Sequence, residues 1–262
     1  MVAQREACGW TASEVVPSWV PRAEEGLKTM FWVVSLDFSP AADSLQALAD
    51  SSPDREAFIQ AHKDGFPGEA EPLQDTAQSL NLAPREPSGA EFVPVGHVGL
   101  NKGPTADLEG HVEGLLPSEG VYWISSLFIS PCIQRRGLGR AVMSRVESLV
   151  AQPASDDVPD KDIPEAALSG TTIALDVPPR EWQVGDWARD NWWGPLNLPM
   201  PKISNLEWYQ QQGYSVFTEL PDFRPATLPD GSVVSVPLLL LKKSWSDQRD
   251  YISIYHIQCS EI

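Results

Sequence analysis

Hydrophobic periodicity changes repeatedly along the chain, and each change marks an element boundary. Residues 11–28 read as a helix interrupted by Pro17 and Pro21, and residues 29–37, TMFWVVSLD, form a β-branched and aromatic run of strand length. A polar stretch follows, with a helix expected around residues 54–62. From Phe92 the pattern is strand-like again, FVPVGHVGL and then VYWISSLFIS, joined by a loop through Gly103, Pro104, Gly110 and Gly120. After Pro131 the apolar positions are Leu138, Ala141, Val142, Val146, Leu149 and Val150, one face of a helix. The run TTIALDV over residues 171–177 is almost continuously apolar, as expected of a strand covered on both faces. Ser204-Asn205-Leu206-Glu207 has capping-box spacing, and Gly213 stands where the short helix that follows needs a left-handed end. SVFTEL and SVVSVPLLLL supply two further strands.

Between these pieces lie two insertions. Residues 40–91 carry ten acidic and three basic side chains, a balance of −7, and read as a largely solvated acidic surface. Residues 178–203 contain Trp182, Trp187, Trp192 and Trp193, four of the ten tryptophans. An acidic, Pro-rich loop also separates the residue 138–150 helix from TTIALDV. The 24 prolines and 18 glycines concentrate where periodicity stops, so they mark connections within one domain spanning residues 1–262, with its core at about 29–39 and 92–243.

The whole chain carries a formal charge of −17, which excludes a basic nucleic-acid binder. Cys8, Cys132 and Cys259 are too scattered for a disulfide framework or a metal-ligand spacing, so no metal is expected and the setting is cytoplasmic or nuclear. The longest apolar run, Val236 to Leu241, contains Pro237 and is far shorter than the ~20 residues of a membrane span. No membrane partner is expected, and the chain is read as a monomer or homodimer.

Against that acidic background one segment is distinct: Ser130-Pro131-Cys132-Ile133-Gln134-Arg135-Arg136-Gly137-Leu138-Gly139-Arg140, between a strand and an amphipathic helix. Such a loop presents free backbone amides at the positive end of the helix dipole, its glycines admit a phosphate without a Cβ in the way, and Arg135, Arg136 and Arg140 add positive charge. The third glycine of a dinucleotide fingerprint and the Gly-Lys-Ser/Thr of a Walker A loop are both absent.

The run Leu127-Phe128-Ile129-Ser130-Pro131, then Gln134-x-x-Gly137-x-Gly139 and an apolar-faced helix, resembles the acetyl-CoA-binding motif of the GNAT superfamily of N-acetyltransferases. Trp208-Tyr209-Gln210-Gln211-Gln212-Gly213-Tyr214 is similar to the Tyr-x-x-x-Gly-aromatic signature of the same superfamily, 70 residues after Gly139. The resemblance implies an α/β (α+β) fold: a mixed, mostly antiparallel twisted sheet with splayed central strands flanked by helices. The superfamily's first strand and helix have little room ahead of Thr29, so the expectation is either that they are missing or that the sequence begins at an internal start. It implies acetyl-CoA as cosubstrate, with pantetheine on the backbone of Leu127 and Ile129 beside Phe128. The pyrophosphate would lie on the amides of Gln134, Arg135, Arg136, Gly137, Leu138, Gly139 and Arg140.

By the same resemblance Tyr209 protonates the departing thiolate and the amine attacks directly, so the activity implied is transfer of acetyl to a primary amine of a small molecule or a peptide. An alkylammonium must first lose a proton, at about 4 to 5 kcal/mol near neutral pH, so a base is sought. Where the superfamily often carries a glutamate on the fourth strand, this chain has Trp123; Asp176 and Glu119 are the nearest carboxylates in sequence. Trp123, Trp187, Trp192 and Asp190 are candidate acceptor-binding residues, aromatic faces and a carboxylate suiting an ammonium, although the tryptophan-rich segment also reads as a hydrophobic plug. The competing reading is an acyl-CoA-binding module without transfer.

Overall fold

The computed structural model describes residue 4 and residues 15–36, 55–74, 87, 89, 91–117, 119–151, 170–197 and 199–245. Cys8, Cys259, the acidic loop after the residue 138–150 helix and most of the residue 40–91 insertion lie outside the described residues. In chain order the main elements are α1 (Val20–Glu24), β1 (Lys28–Leu36), α2 (Arg55–Gly65), β2 (Leu73–Gln74), β3 (Glu91–Lys102), α3 (Glu109–Val112), β4 (Val121–Ile129) and α4 (Leu138–Ala151). They continue as β5 (Thr172–Val177), α5 (Asp186–Ala188), α6 (Asn205–Gln210), β6 (Ser215–Thr227) and β7 (Val233–Ser244). The chain is thus α/β, and its strands pair antiparallel within each of two compact units.

The first unit comprises residues 1–103 and 122–170. β1 pairs with β3, which pairs on its other edge with β4, and the short β2 joins the start of β3. Val33, Val95, Val98, Leu100, Trp123 and Ile124 are buried along these strands, and Leu138, Val142, Met143, Val146 and Val150 are buried along α4. The apolar face read from the spacing of α4 is therefore its buried face. Opposite β3, Ser125 is an extra residue on β4, because Gly99 faces Ser126 while Leu100 faces Ile124. Such a bulge bends its strand and increases local twist. At Gly96 the strands come so close that an added Cβ would collide with the Phe128 carbonyl.

Of the helix expected over residues 11–28, residues 11–14 lie outside the described residues, and the rest is realised as a π-helical turn at Val15–Trp19 followed by α1. Pro21 sits in the first turn of α1, where its missing N–H costs nothing. Lys28 belongs to β1 rather than to that helix: its Nζ donates to Asn101 Oδ1 at 3.2 Å and Ser125 Oγ at 2.5 Å and lies 4.5 Å from the Trp19 ring.

The second unit comprises residues 104–121 and 171–262, with strand order β5-β7-β6. Ile173, Ala174, Leu175, Leu240 and Leu241 are almost wholly buried. β6 extends beyond the expected SVFTEL as far as Thr227, although Pro221 and Pro225 argue against a continued strand. The ladder survives by skipping residues: Leu220 faces Leu238 and Arg224 faces Val236, leaving 221–223 opposite Pro237, which has no N–H to give. No helix among the described residues is long and apolar enough to cross a membrane.

Candidate cofactor and active site

The Gln134–Arg140 segment lies where β4 hands over to α4, and its shape follows from its residues. Ser130 N–H donates to the Val95 carbonyl at 2.9 Å, which keeps the strand end attached to β3. Pro131–Ile133 forms one 3₁₀ turn, with Ile133 N–H donating to the Ser130 carbonyl at 3.0 Å. Gln134 returns to extended backbone, φ −61° and ψ 166°, and its side-chain Nε2 donates to the Ile129 carbonyl at 2.9 Å. The backbone then takes positive φ at Arg135 (67°) and Gly137 (86°) before α4 begins. An added Cβ on Gly137 would meet nothing within 4 Å. Space beside the glycine is open, so its backbone angle, not crowding by neighbours, accounts for the residue.

Gly137 also supplies the first helical acceptor, taking the Ala141 N–H at 3.0 Å. The amides of Leu138, Gly139 and Arg140 precede that bond and have no acceptor within the helix, the general condition of a helix start. Gly139 departs from the sequence expectation, since it is the second residue of α4 and not part of the turn. Arg135, Arg136 and Arg140 are exposed, and among the described residues none of the three is ion-paired. Three guanidinium groups with no carboxylate partner among the described residues thus stand beside open amides in a chain of charge −17, a concentration of positive charge of the kind that attracts anions.

The strand leading in fits the same use. Val95 faces Ser130 and exchanges a hydrogen bond with it, so in the alternating antiparallel ladder Phe128 is bonded toward β3, and the N–H and C=O of Leu127 and Ile129 turn away from β3. These are the backbone groups expected to receive pantetheine, with the Ile129 carbonyl taken by Gln134. Residues 127–140 therefore present, in sequence, strand backbone groups turned away from β3, a left-handed turn with open amides, and cationic side chains.

An unanticipated contributor comes from the acidic insertion. Phe58, Ala61, His62 and Phe66 fall on one face of α2 and its end, and that face meets the loop. The Phe58 ring lies 3.5 Å from the Arg136 guanidinium carbon, and Cys132 Sγ is 3.5 Å from the Ala61 carbonyl. Phe66 packs edge-on against Phe128 at 5.9 Å, and Phe128 stacks on His97 at 5.7 Å. His97 is fully buried between Trp19, Trp32 and Phe128, with Nδ1 2.9 Å from Gln4 Oε1. The i, i+3, i+4, i+8 spacing was the available sequence signal for this face, hidden by the polar residues around it.

Trp123 is fully buried on β4, opposite Asn101. In the second unit Tyr209 is buried on α6, edge-on to Trp208 at 4.8 Å and to Tyr214 at 5.6 Å. Burial, and then the nearby Asp176 charge, push its phenol above the ordinary tyrosine range, so the hydroxyl keeps its proton. The capping box is complete: Ser204 Oγ accepts the Glu207 N–H at 3.2 Å and Glu207 Oε2 accepts the Ser204 N–H at 2.8 Å. Gly213, at φ 89°, ends the turn.

Asp176 Oδ2 accepts from Arg224 Nη1 at 3.1 Å, and Arg224 Nη2 reaches Asp107 at 3.4 Å. Sequence reasoning gave no signal for Arg224, which resumes the ladder opposite Val236 just after the residues that β6 skips past. Glu119 is exposed. In the tryptophan-rich segment Trp182 and Trp187 rings lie 4.3 Å apart, Trp192 is half-buried, and Trp193 Nε1 donates to the Gln183 carbonyl at 2.8 Å. Asp190 and Asp186 accept from Arg189 at 2.8 and 2.6 Å, so these two carboxylates are engaged within the segment. Among the described residues no cluster of His, Cys, Asp and Glu is arranged to hold a metal ion.

No family model matches the chain, and no curated protein matches it. It is similar to several solved structures. A GNAT-family structure from Desulfovibrio desulfuricans aligns at 14% identity and a TM-score of 0.33, covering 60% of this chain and 64% of that one. This chain thus spans slightly under two thirds of that protein. An aminoglycoside 6'-N-acetyltransferase from Enterococcus faecium aligns at 13% identity and a TM-score of 0.33, covering 81% and 96%. Arabidopsis thaliana NAA60 in complex with acetyl-CoA aligns at 15% identity and a TM-score of 0.35, covering 72% and 93%. The solved structures to which the chain is similar thus include an acetyltransferase of the GNAT family.

Proposed function

We propose that the chain is a GNAT-type acyl-CoA N-acyltransferase that moves an acetyl group from acetyl-CoA to a primary amine by direct transfer. The observation that carries this reading is the β4–α4 turn: open amides, left-handed Arg135 and Gly137, and three exposed guanidiniums with no carboxylate partner among the described residues of an acidic chain. The thioester supplies an activated acetyl group. The residues of this chain then divide the work. The amides of Gln134 to Arg140 and the three arginines hold pyrophosphate, and the outward backbone of Leu127 and Ile129 orients the pantetheine arm. Tyr209 keeps a proton at Oη for the leaving sulfur, the state its burial favours. Asp176 and Glu119 are the carboxylates put forward to take the ammonium proton. Trp123, Trp187, Asp190 and Trp192 are put forward for acceptor binding, a small amine being preferred to a peptide because two long insertions suit a closed pocket. Residues 1–262 are taken as one GNAT-like domain.

Calorimetric titration with acetyl-CoA, followed in the same sample by thiol release on adding polyamines, arylalkylamines, aminoglycosides and peptide amines, tests the proposal. Amine-dependent CoA release supports transfer and begins to identify the acceptor. Binding without release across the panel replaces transfer with a non-catalytic acyl-CoA-binding module. Absence of binding overturns both.

A further inference from the structure

We infer that α2, the helix inside the acidic insertion, is a positioning element for the phosphate loop, and that Phe58 sets cofactor affinity by holding Arg136. The inference rests on the reading of the loop as a CoA phosphate site, and adds a part that the loop motif does not contain.

The geometry is specific. Phe58 and Phe66 stand eight residues apart on one side of α2 and reach the two ends of the loop: Phe66 the Phe128 ring on β4, Phe58 the guanidinium of Arg136. Between them the Ala61 carbonyl lies 3.5 Å from Cys132 Sγ within the 3₁₀ turn. Arg136 is exposed and, among the described residues, pairs with no carboxylate, so the Phe58 ring is its partner there.

A guanidinium on an aromatic ring uses its π face and keeps its N–H donors in the plane, free to fork onto a phosphate. An unrestrained arginine loses substantial rotamer freedom when it grips a ligand, whereas a stacked one has lost part of it beforehand. Arg135 and Arg140 have no aromatic ring beneath them among the described residues, which distinguishes Arg136 from its neighbours. Aromaticity at position 58, not merely bulk, is therefore the property that matters.

The test uses the full chain and calorimetric titration with CoA. Phe58→Leu and Phe58→Met should each weaken CoA by about twofold to fivefold, the range of an exposed cation–π contact. Phe58→Tyr and Phe58→Trp should bind as the parent does. Arg136→Lys, which keeps the charge but loses the planar stack, should weaken binding comparably, and Phe58→Leu should have no further effect in an Arg136→Gln background. Unchanged CoA affinity in Phe58→Leu or Phe58→Met, with the parent binding CoA, overturns the role of Phe58 and leaves the phosphate-site reading intact. An equal loss from Phe58→Leu with and without Arg136 reduces α2 to a packing element and likewise overturns the inference. Should both truncations unfold, Arg136→Lys decides: parent-like binding overturns it. Failure of the parent to bind CoA defeats the phosphate-site reading itself.

Discussion

Gln134 Nε2 donates to the Ile129 carbonyl at 2.9 Å, so the first residue of the run proposed to hold phosphate is tied to the last residue of the strand that precedes it. That bond closes the 3₁₀ turn from outside and fixes where the following amides stand. Gln134→Glu keeps the shape but replaces the donor by a carboxylate facing a carbonyl oxygen. The expected result is CoA binding weakened about fivefold or more, roughly one lost hydrogen bond plus the repulsion of an added negative charge. Calorimetry with CoA measures it, and undiminished affinity would show that the turn holds without this tie.

Gly137 has φ 86° with open space around it. Because no neighbour obstructs a side chain, Gly137→Ala isolates the backbone cost of a left-handed residue, about 1–2 kcal/mol. Equilibrium urea unfolding should show a loss of that size. A Cβ would also face the opening expected to admit phosphate, so CoA affinity should fall more than stability alone explains, whereas Gly103→Ala, also at positive φ in open space but outside the phosphate loop, should cost stability only.

The loop could be read before any coordinates because its signal is local: a strand period of 2 gives way to 3.6 at Pro131, and Gly137 stands where φ must be positive. The capping box of α6 was legible for the same reason, Ser204 and Glu207 being three residues apart. Contacts between distant segments were not. Phe58 is separated from Arg136 by 78 positions and Arg224 from Asp176 by 48, and no periodicity relates them. The engagement of Asp186 and Asp190 by Arg189 is local, yet charge content alone hid it, because the carboxylates read as available for an ammonium. β6 was cut short at Pro221 because the strand tolerates its prolines only by shifting register, which a propensity argument does not foresee.

Tyr209 combines burial with a phenol pushed above the ordinary range, by desolvation first and by Asp176 second. A proton donor to a thiolate needs that protonated state, so Tyr209→Phe should lower kcat about 100-fold and leave CoA affinity unchanged. Stability has a matching signature. The folded pKa lies above the unfolded value near 10, so the contribution is fully present below pH ~10 and is lost as pH rises beyond it. Tyr209→Phe should therefore show a shallower alkaline decline in urea midpoint than the parent. Identical alkaline slopes would contradict the burial of the hydroxyl, and unchanged kcat would contradict its role.

The same helix offers a test at the acid end. Glu207 is held below the usual carboxylate range by the Ser204 N–H first, then by the Ser204 hydroxyl and by Arg180, whose Nε lies 3.1 Å from Oε1. A lowered folded pKa means that the stabilising contribution is present above the unfolded value of about 4.3 and disappears as pH falls through the folded one. Glu207→Gln should accordingly be less stable than the parent at pH 7, with the difference shrinking toward zero in acid. Ser204→Ala, which removes the cap acceptor itself, should cost about 1 kcal/mol, and part of that loss should persist in acid, since the hydroxyl still accepts the Glu207 N–H there. Urea unfolding of the three proteins at pH 7 and near pH 3 separates the two contributions. A Glu207→Gln deficit that does not depend on pH would mean that charge plays no part in capping the helix that carries Tyr209.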